Sequence, residues 1–473
     1  MKKKSRITMV VLTCLMLMAG SFYPRSCRAI TISEEKTLWQ TFYQSLSSQY
    51  TIINDPVIEG YINRLGNKIL AAAPPQPFDF HFYVIRQDTI NAFAAPAGHI
   101  FVFSGLFSLM ESEDELAGIL SHEIAHATCR HISKMIEQSK KTNMMTIAGI
   151  TAGILMGIAG APSAGSALVF GSAATGQSIA LAYTRQHEIQ ADQIGRIYLT
   201  KAGYDIHGLI RALNMIRSRE WFGEETVPTY LMTHPATGAR IVYLENMVKG
   251  EKEPKPVKSY AFDLARARLI GMYINIDTAL NLLSGILKKR PGDPAFLYGY
   301  GLALERKGDF EKGAAMIQKA VKEKNDPVMR VDLGRIAYLS GKTKDAIDIL
   351  SKIPGLERQG PSGLAYLARA YLDEKKQARA VSTCKTLVNT YPDDTEGLYV
   401  CGRVFGRTGN MADAHFCLGK YYAKNGDVSN AFFHFKHALA ATKDATRKKT
   451  IEKEVSDLSR LRRRSIIQKG RDN

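Results

Sequence analysis

The sequence predicts a mainly α protein in two parts, helices around a small β-sheet followed by an α-solenoid. Three observations carry this reading. Ala279, Gly313, Ala346, Ala380 and Ala414 recur in similar phrases, and a period of about 34 residues is the mark of a stacked helical repeat. Further forward, "EDELAGILSHEIAHA" (113–127) spaces its apolar residues as a helix does. Ahead of it, "FDFHFYVI" (78–85) and "GHIFVFSGL" (98–106) read as strands. At 473 residues the chain is too long for one ordinary core.

The elements run in order from the N-terminus. "MKKKSR" and the apolar "ITMVVLTCLMLMAG" form a secretory signal peptide over 1–29, with Ala29 as the cleavage point. A retained membrane anchor is the alternative, but the apolar run is short for a span. Cys14 lies inside that run and Cys27 follows "PRS", so neither sits in a lipoprotein signal. Export permits a disulfide among Cys384, Cys401 and Cys417. The net charge of +18 is concentrated at the ends: six cations and no acid precede residue 29, and the stretch from Arg447 to the C-terminus carries ten cations against four acids. No arginine–aromatic nucleic-acid module accompanies them, which argues against a nucleic-acid partner.

Residues 30 to about 75 are expected to be helical, then come the two strands. Ser112 and Glu115 form a capping-box signal for a helix running to about Gln138. No charged residue lies between Lys141 and Arg185, so 143–184 reads as an uncharged helical hairpin. Gly149, Gly153 and Gly157 leave one of its stripes bare. It is a packed hairpin in a soluble domain, a membrane-surface or partner contact, or a pair of spans. The charged, proline-punctuated "KGEKEPKPVK" (249–258) separates a domain over 30–250 from the repeats, with a linker at 251–258. Residues 259–445 repeat, and 446–473 form a basic tail.

The repeats resemble the tetratricopeptide repeat, a helix-turn-helix unit of about 34 residues. Small residues recur where paired helices would touch, at Ala267, Gly301, Gly334, Ala368 and Gly402. After Ala414 the interval halves to reach Ala431. Such units stack into a curved solenoid with a concave recognition face.

Chemistry is sought in the first part. His122 and His126 lie one turn apart on one helix face, so both imidazoles can approach one ion at about 2 Å. Glu123 is rotated by about 100° and can lean over that ion and take a proton from an attacking water. His131, five residues beyond His126 on the same expected helix, points about 140° away. Cys129 reads as a core cysteine. A third ligand comes from "YTRQHEIQADQIG" (183–195), where Glu188 and Asp192 share a helix face. One of them can bind the ion and the other orient a histidine. His187 points elsewhere. A set of two histidines and one carboxylate leaves a position open, as catalytic zinc sites do.

"HEIAH" followed by "EIQAD", with "NAFAAPAGHIFVFSGL" upstream and "THPATGARI" (233–241) downstream, resembles the gluzincin-like zinc metalloproteases that include HtpX and the CAAX-prenyl proteases. With an export signal and the repeats, the whole chain resembles the periplasmic beta-barrel assembly-enhancing type. That resemblance implies one Zn2+ per chain held by His122, His126 and Glu188, Glu123 as general base, and Asp192 as an acid beside the site. It also implies that His234 polarises the substrate carbonyl, stabilises the oxyanion or binds the metal in a closed state, against a plain capping or packing role, with Arg240 nearby. Gln190 replaces the glutamate usual at that place. The implied activity is a periplasmic metalloendopeptidase acting on unfolded or misassembled outer-membrane proteins, its repeats docking substrate or assembly machinery. The alternatives are a chaperone or scaffold whose site is normally closed, and an integral-membrane protease. An extended substrate is expected to add to a sheet edge, with His99, Ile100, Phe101 and Val102 as the receiving strand.

Overall fold

The computed structural model describes residues 30–141, 183–221, 228–235 and 237–469. The signal segment and all but the last two residues of the 143–184 hairpin lie outside them. The chain forms two compact units. One holds residues up to Ile52, Asn63–Leu106 and Asp114–Pro256; the other holds Ile53–Ile62, Phe107–Glu113 and the chain from Val257 onward. No helix among the described residues is long and apolar enough to cross a membrane.

The first unit opens with α1 (Ile32–Gln49), started by a capping box in which Thr31 and Glu34 satisfy each other's backbone N–H groups. Next along the chain is α2 (Pro56–Leu70), of which only the part from Asn63 belongs to this unit. Strands β1 (His81–Ile85), β2 (Ala92–Ala95) and β3 (His99–Phe103) form one sheet in the order β1-β3-β2. β1 runs parallel to β3, with His81 opposite His99, and β2 runs antiparallel, with Ala92 opposite Val102. Phe42 and Leu46 of α1 pack with Phe93, Phe101 and Phe103 in the core beneath the sheet.

This order corrects one expectation. His99, Ile100, Phe101 and Val102 do lie on a strand, but it is the central one, with a neighbour on each side. Its backbone N–H and C=O groups are committed to the ladders, so no added strand can pair there. Strand β2 escapes sequence reading because "AFAA" is four residues long, alanine-rich and buried throughout, and so shows no alternation.

Next come α3 (Ser104–Leu109), α4 (Glu113–Thr128), α5 (His131–Lys141), α6 (Arg185–Lys201), α7 (His207–Trp221), α8 (Thr229–Thr233) and α9 (Thr237–Met247). The helix expected to run to Gln138 is broken between α4 and α5, where Arg130 takes a left-handed φ of 53°. Tertiary contacts hold that break. The Arg130 guanidinium donates to Glu35 Oε2 at 2.9 and 2.7 Å and to the Ile30 carbonyl at 2.7 Å.

The second unit is built mainly of paired helices: α10 (Tyr260–Tyr273) with α11 (Ile276–Lys289), α12 (Pro294–Arg306) with α13 (Phe310–Glu323), and α14 (Pro327–Leu339) with α15 (Thr343–Ser351). Beyond them lie α16 (Pro361–Asp373) with α17 (Gln377–Thr390), α18 (Thr395–Arg407) with α19 (Met411–Lys424), α20 (Val428–Ala441) and α21 (Ala445–Lys469). The small residues mark real contacts: a Cβ on Gly301 would sit 2.7 Å from the Gly313 carbonyl oxygen. Where the repeat interval halves, Gly419 meets the Phe435 ring, 2.6 Å from where a Cβ would be. Ile451 and Leu458 of α21 join the core formed by Phe416 and Phe435. Cys384, Cys401 and Cys417 are buried free thiols, and Cys401 Sγ donates to the Cys384 carbonyl at 3.6 Å.

A buried charge network lies within this unit. Arg268 donates to both Asp55 oxygens at 2.9 and 2.8 Å and to Asp332 Oδ2 at 2.5 Å, and the Tyr298 hydroxyl donates to the same Asp332 oxygen at 2.7 Å. Burial pushes the Asp332 carboxyl up, but the Arg268 and Arg335 charges outweigh it and hold it at about 2, below the ordinary 3.8. A depressed carboxyl contributes stability that is present above its unfolded value and is lost as pH falls through its folded value. Unfolding followed by circular dichroism is therefore expected to show roughly 2 kcal/mol of loss between about pH 4 and pH 2, which Asp332→Asn removes from the pH profile. An unchanged acid limb in that variant would refute the assignment.

Candidate metal centre

Helix α4 is buried from Asp114 to Ala127, which two glycines make possible. A Cβ on Gly118 would lie 2.7 Å from the backbone N and Cα of Leu209 in α7, and one on Gly195 in α6 would lie 3.1 Å from the Ser121 carbonyl oxygen. Helices α6 and α7 thus approach α4 at near backbone contact, and α6 carries Glu188 and Asp192 beside His122. Gly118→Ala is expected to cost about 1–3 kcal/mol of stability, readable as a lowered Tm. An unchanged melt would show that the two helices can part freely.

Four side chains from three segments converge: His122, His126, Glu188 and His234 are all buried, with one ligating atom each within 4.8 Å of the others. His122 Nε2 lies 3.0 Å from His126 Nε2, 3.3 Å from His234 Nδ1 and 3.4 Å from Glu188 Oε2. His126 Nε2 lies 3.4 Å, and His234 Nδ1 3.2 Å, from Glu188 Oε1. Donors bound tetrahedrally to zinc at about 2.0–2.1 Å stand roughly 3.3–3.4 Å apart, so this spacing fits such an ion. The buried Glu123 carboxylate makes no hydrogen bond through either oxygen. Acceptors left bare in a core are costly unless they serve an ion or a reaction.

The surroundings set the tautomers. Asp192 Oδ1 lies 2.9 Å from His122 Nδ1, so that nitrogen carries the proton and Nε2 keeps its lone pair. Arg240 holds Asp192 by two bonds of 2.8 and 2.7 Å and pairs with Glu188 Oε2 at 2.6 Å, fixing both acids of α6. His126 Nδ1 lies 2.9 Å from His131 Nδ1, and His131 Nε2 lies 3.0 Å from Gln190 Oε1. With His131 donating to the amide oxygen, its Nδ1 accepts from His126, whose Nε2 is then free for a metal. His131 reaches back because the helix breaks before it. Extrapolating α4 through Arg130 misplaces it and hides the use of Gln190. His187 stacks on His131 with ring centroids 4.4 Å apart.

Electrostatics follow from the packing. Burial pushes Glu188 up, but His234 and Arg240 outweigh it and hold it well below the carboxylate range. Burial holds His126 neutral, well below its ordinary value. Burial and Arg240 push His122 down, but its bonds to Asp192 and Glu188 prevail and raise it to about 9, so Nε2 would present its lone pair to an ion by giving up a proton. Glu123 is raised by burial, which makes it a stronger base once ionised.

His234 offers the fourth candidate ligating atom, Nδ1, and its Nε2 stands 3.5 Å from Glu123 Oε1 and 3.4 Å from the Ala92 carbonyl of β2. It caps the C-terminus of α8. Two aromatic residues escaped sequence reading. Tyr183 lies 3.8 Å from the His126 ring, centroid to centroid. Tyr230 stacks on His234 at 4.3 Å, its buried hydroxyl without a partner. Nothing in their sequence context distinguishes them from core tyrosines.

Fold and site together define a metallopeptidase domain with helical repeats. Residues 56–248 match the model of peptidase family M48, and 275–328 and 364–394 match tetratricopeptide repeat models, so the chain carries an M48 metallopeptidase domain and tetratricopeptide repeats. It is similar over most of its length to the beta-barrel assembly-enhancing protease of Yersinia pestis, at 26% identity over 88% of this chain and 86% of that protein. A Vibrio cholerae relative is 29% identical over 86% and 85%. The mitochondrial metalloendopeptidase OMA1 of Schizosaccharomyces pombe is 26% identical over 46% of this chain and 61% of its own length.

Proposed function

We propose that this protein is a zinc-dependent metalloendopeptidase, exported to the periplasm, that hydrolyses peptide bonds in unfolded or misassembled outer-membrane proteins. Its repeats dock substrate or assembly machinery. The observation that carries the activity is the convergence of four buried ligating side chains beside the Glu123 carboxylate, neither of whose oxygens is hydrogen-bonded. The cellular role rests on relatives named for beta-barrel assembly.

His122, His126 and Glu188 would hold the ion, which would supply a Lewis acid for water and the peptide carbonyl. Glu123 takes a proton from the attacking water and delivers it to the leaving amine. Arg240 and Asp192 keep Glu188 and His122 aimed. The extended substrate adds to β2, which among the described residues ends the sheet on the side where Ala92 meets His234. Zinc content and casein cleavage, compared between wild type and Glu188→Gln, test the assignment: both should fall. Full zinc occupancy in the variant would remove Glu188 from the ligand set.

One observation favours the second reading, a chaperone or scaffold with a closed site: His234 stands where a catalytic centre needs an open position. Complementation of a deletion strain by Glu123→Gln decides between them. Full rescue would make scaffolding the main role, and none would make it proteolysis.

A further inference from the structure

Three successive first helices of the repeats, α14, α16 and α18, are each 13 residues long. Each has arginine as its ninth residue: Arg335, Arg369 and Arg403, one repeat apart. The ladder is not uniformly neutralised. Arg335 is held from within by Asp332 at 2.9 Å and by Glu305 at 2.8 and 2.6 Å. Arg369 has one carboxylate, Glu396 at 3.3 Å. Among the described residues Arg403, and Arg407 one turn further along, form no ion pair. Both are exposed.

Arg369, Arg403 and Arg407 line a cleft of about 440 Å³ whose floor includes the buried Val400 and Val404 and whose walls include Tyr338 and Tyr399. Arg403 lies 5.8 Å over the Tyr399 ring and Arg369 5.1 Å over Tyr366, so the forks are preordered on aromatic faces. The cleft's own acid, Asp373, accepts from the Tyr338 hydroxyl at 2.8 Å, and its single negative charge is outnumbered by the arginines that line the cleft.

We propose that this cleft binds an extended acidic segment of a partner protein, with carboxylates about three residues apart. The spacing follows from the fold. Packed helices stand about 8–10 Å apart, and a chain extended as polyproline II advances about 3.1 Å per residue and returns to the same face every third residue, so rungs on adjacent helices meet every third side chain. Planar guanidinium forks match carboxylates in two-bond geometry, and the aromatic walls and apolar floor receive the intervening side chains. The inference rests on the docking role proposed for the repeats and does not depend on hydrolysis.

Fluorescence anisotropy on the full-length protein tests it, using a labelled peptide with aspartate at every third position. The peptide should bind, and the Arg403→Glu/Arg407→Glu variant should bind about tenfold more weakly, since each exposed pair contributes a few-fold. The asparagine version should bind wild type equally weakly, and raising salt from about 0.05 to 0.5 M should abolish the difference. Equal binding of the aspartate and asparagine peptides would overturn the proposal even if the variant failed to fold. Binding of anionic vesicles or polyphosphate, but not of the peptide, would also overturn it. Because binding is read without turnover, such a failure leaves the peptidase reading standing, and a failure of casein cleavage leaves the cleft standing.

Discussion

A Glu123→Gln variant is expected to retain metal at wild-type stoichiometry while casein cleavage falls by about a thousandfold. The carboxylate touches none of the ligand geometry: it stands 3.5 Å from His234 Nε2, and neither oxygen is hydrogen-bonded. The amide keeps the shape and loses only the ability to take the proton. The same substitution bears on stability. Burial raises the Glu123 carboxyl, so ionising it in the core opposes folding, and the variant should melt no lower than wild type. Gain of stability with loss of turnover is the signature of a group kept for chemistry. A variant that cleaves within about tenfold of wild type, or that loses its metal, would refute the role.

His234→Ala is expected to raise casein cleavage about tenfold, the gain that results if the imidazole fills the fourth position most of the time. Three donors would remain to hold an ion, and removal of the imidazole would leave room beside them for water and substrate. The cost is packing: His234 is fully buried and stacked on Tyr230, so the melt should fall by roughly 2 kcal/mol. A fall in activity comparable to that of Glu123→Gln, with metal retained, would instead assign His234 to carbonyl or oxyanion stabilisation.

Local sequence exposed much of the centre. His122, Glu123 and His126 follow from helical periodicity alone, and Glu188 and Asp192 share a face for the same reason. Which acid stands at the ring nitrogens, and which behind His122, depends on how α6 lies on α4. The close approach at Gly195 decides that, and no spacing reveals it. The roles of His131 and Gln190 were hidden by one wrong assumption, that α4 continues through Arg130. That residue turns left-handed where Glu35, 95 positions earlier, captures its guanidinium.

By itself the sequence determined the elements and their periodicities: the helix bearing two histidines, the helical repeat with its fixed period, and the small residues where repeat helices touch. These are local properties, set by side-chain spacing along a helix of about 3.6 residues per turn. Tertiary structure alone decided which strand lies in the middle of the sheet, which atoms surround the metal position, and that His234 stands across from Glu123 although the two are far apart along the chain. It also decided that Asp55 and Arg268, 213 residues apart, share one buried ion pair. Each depends on which distant surfaces meet, and that is settled by the free energy of the whole core rather than by the preference of any one segment.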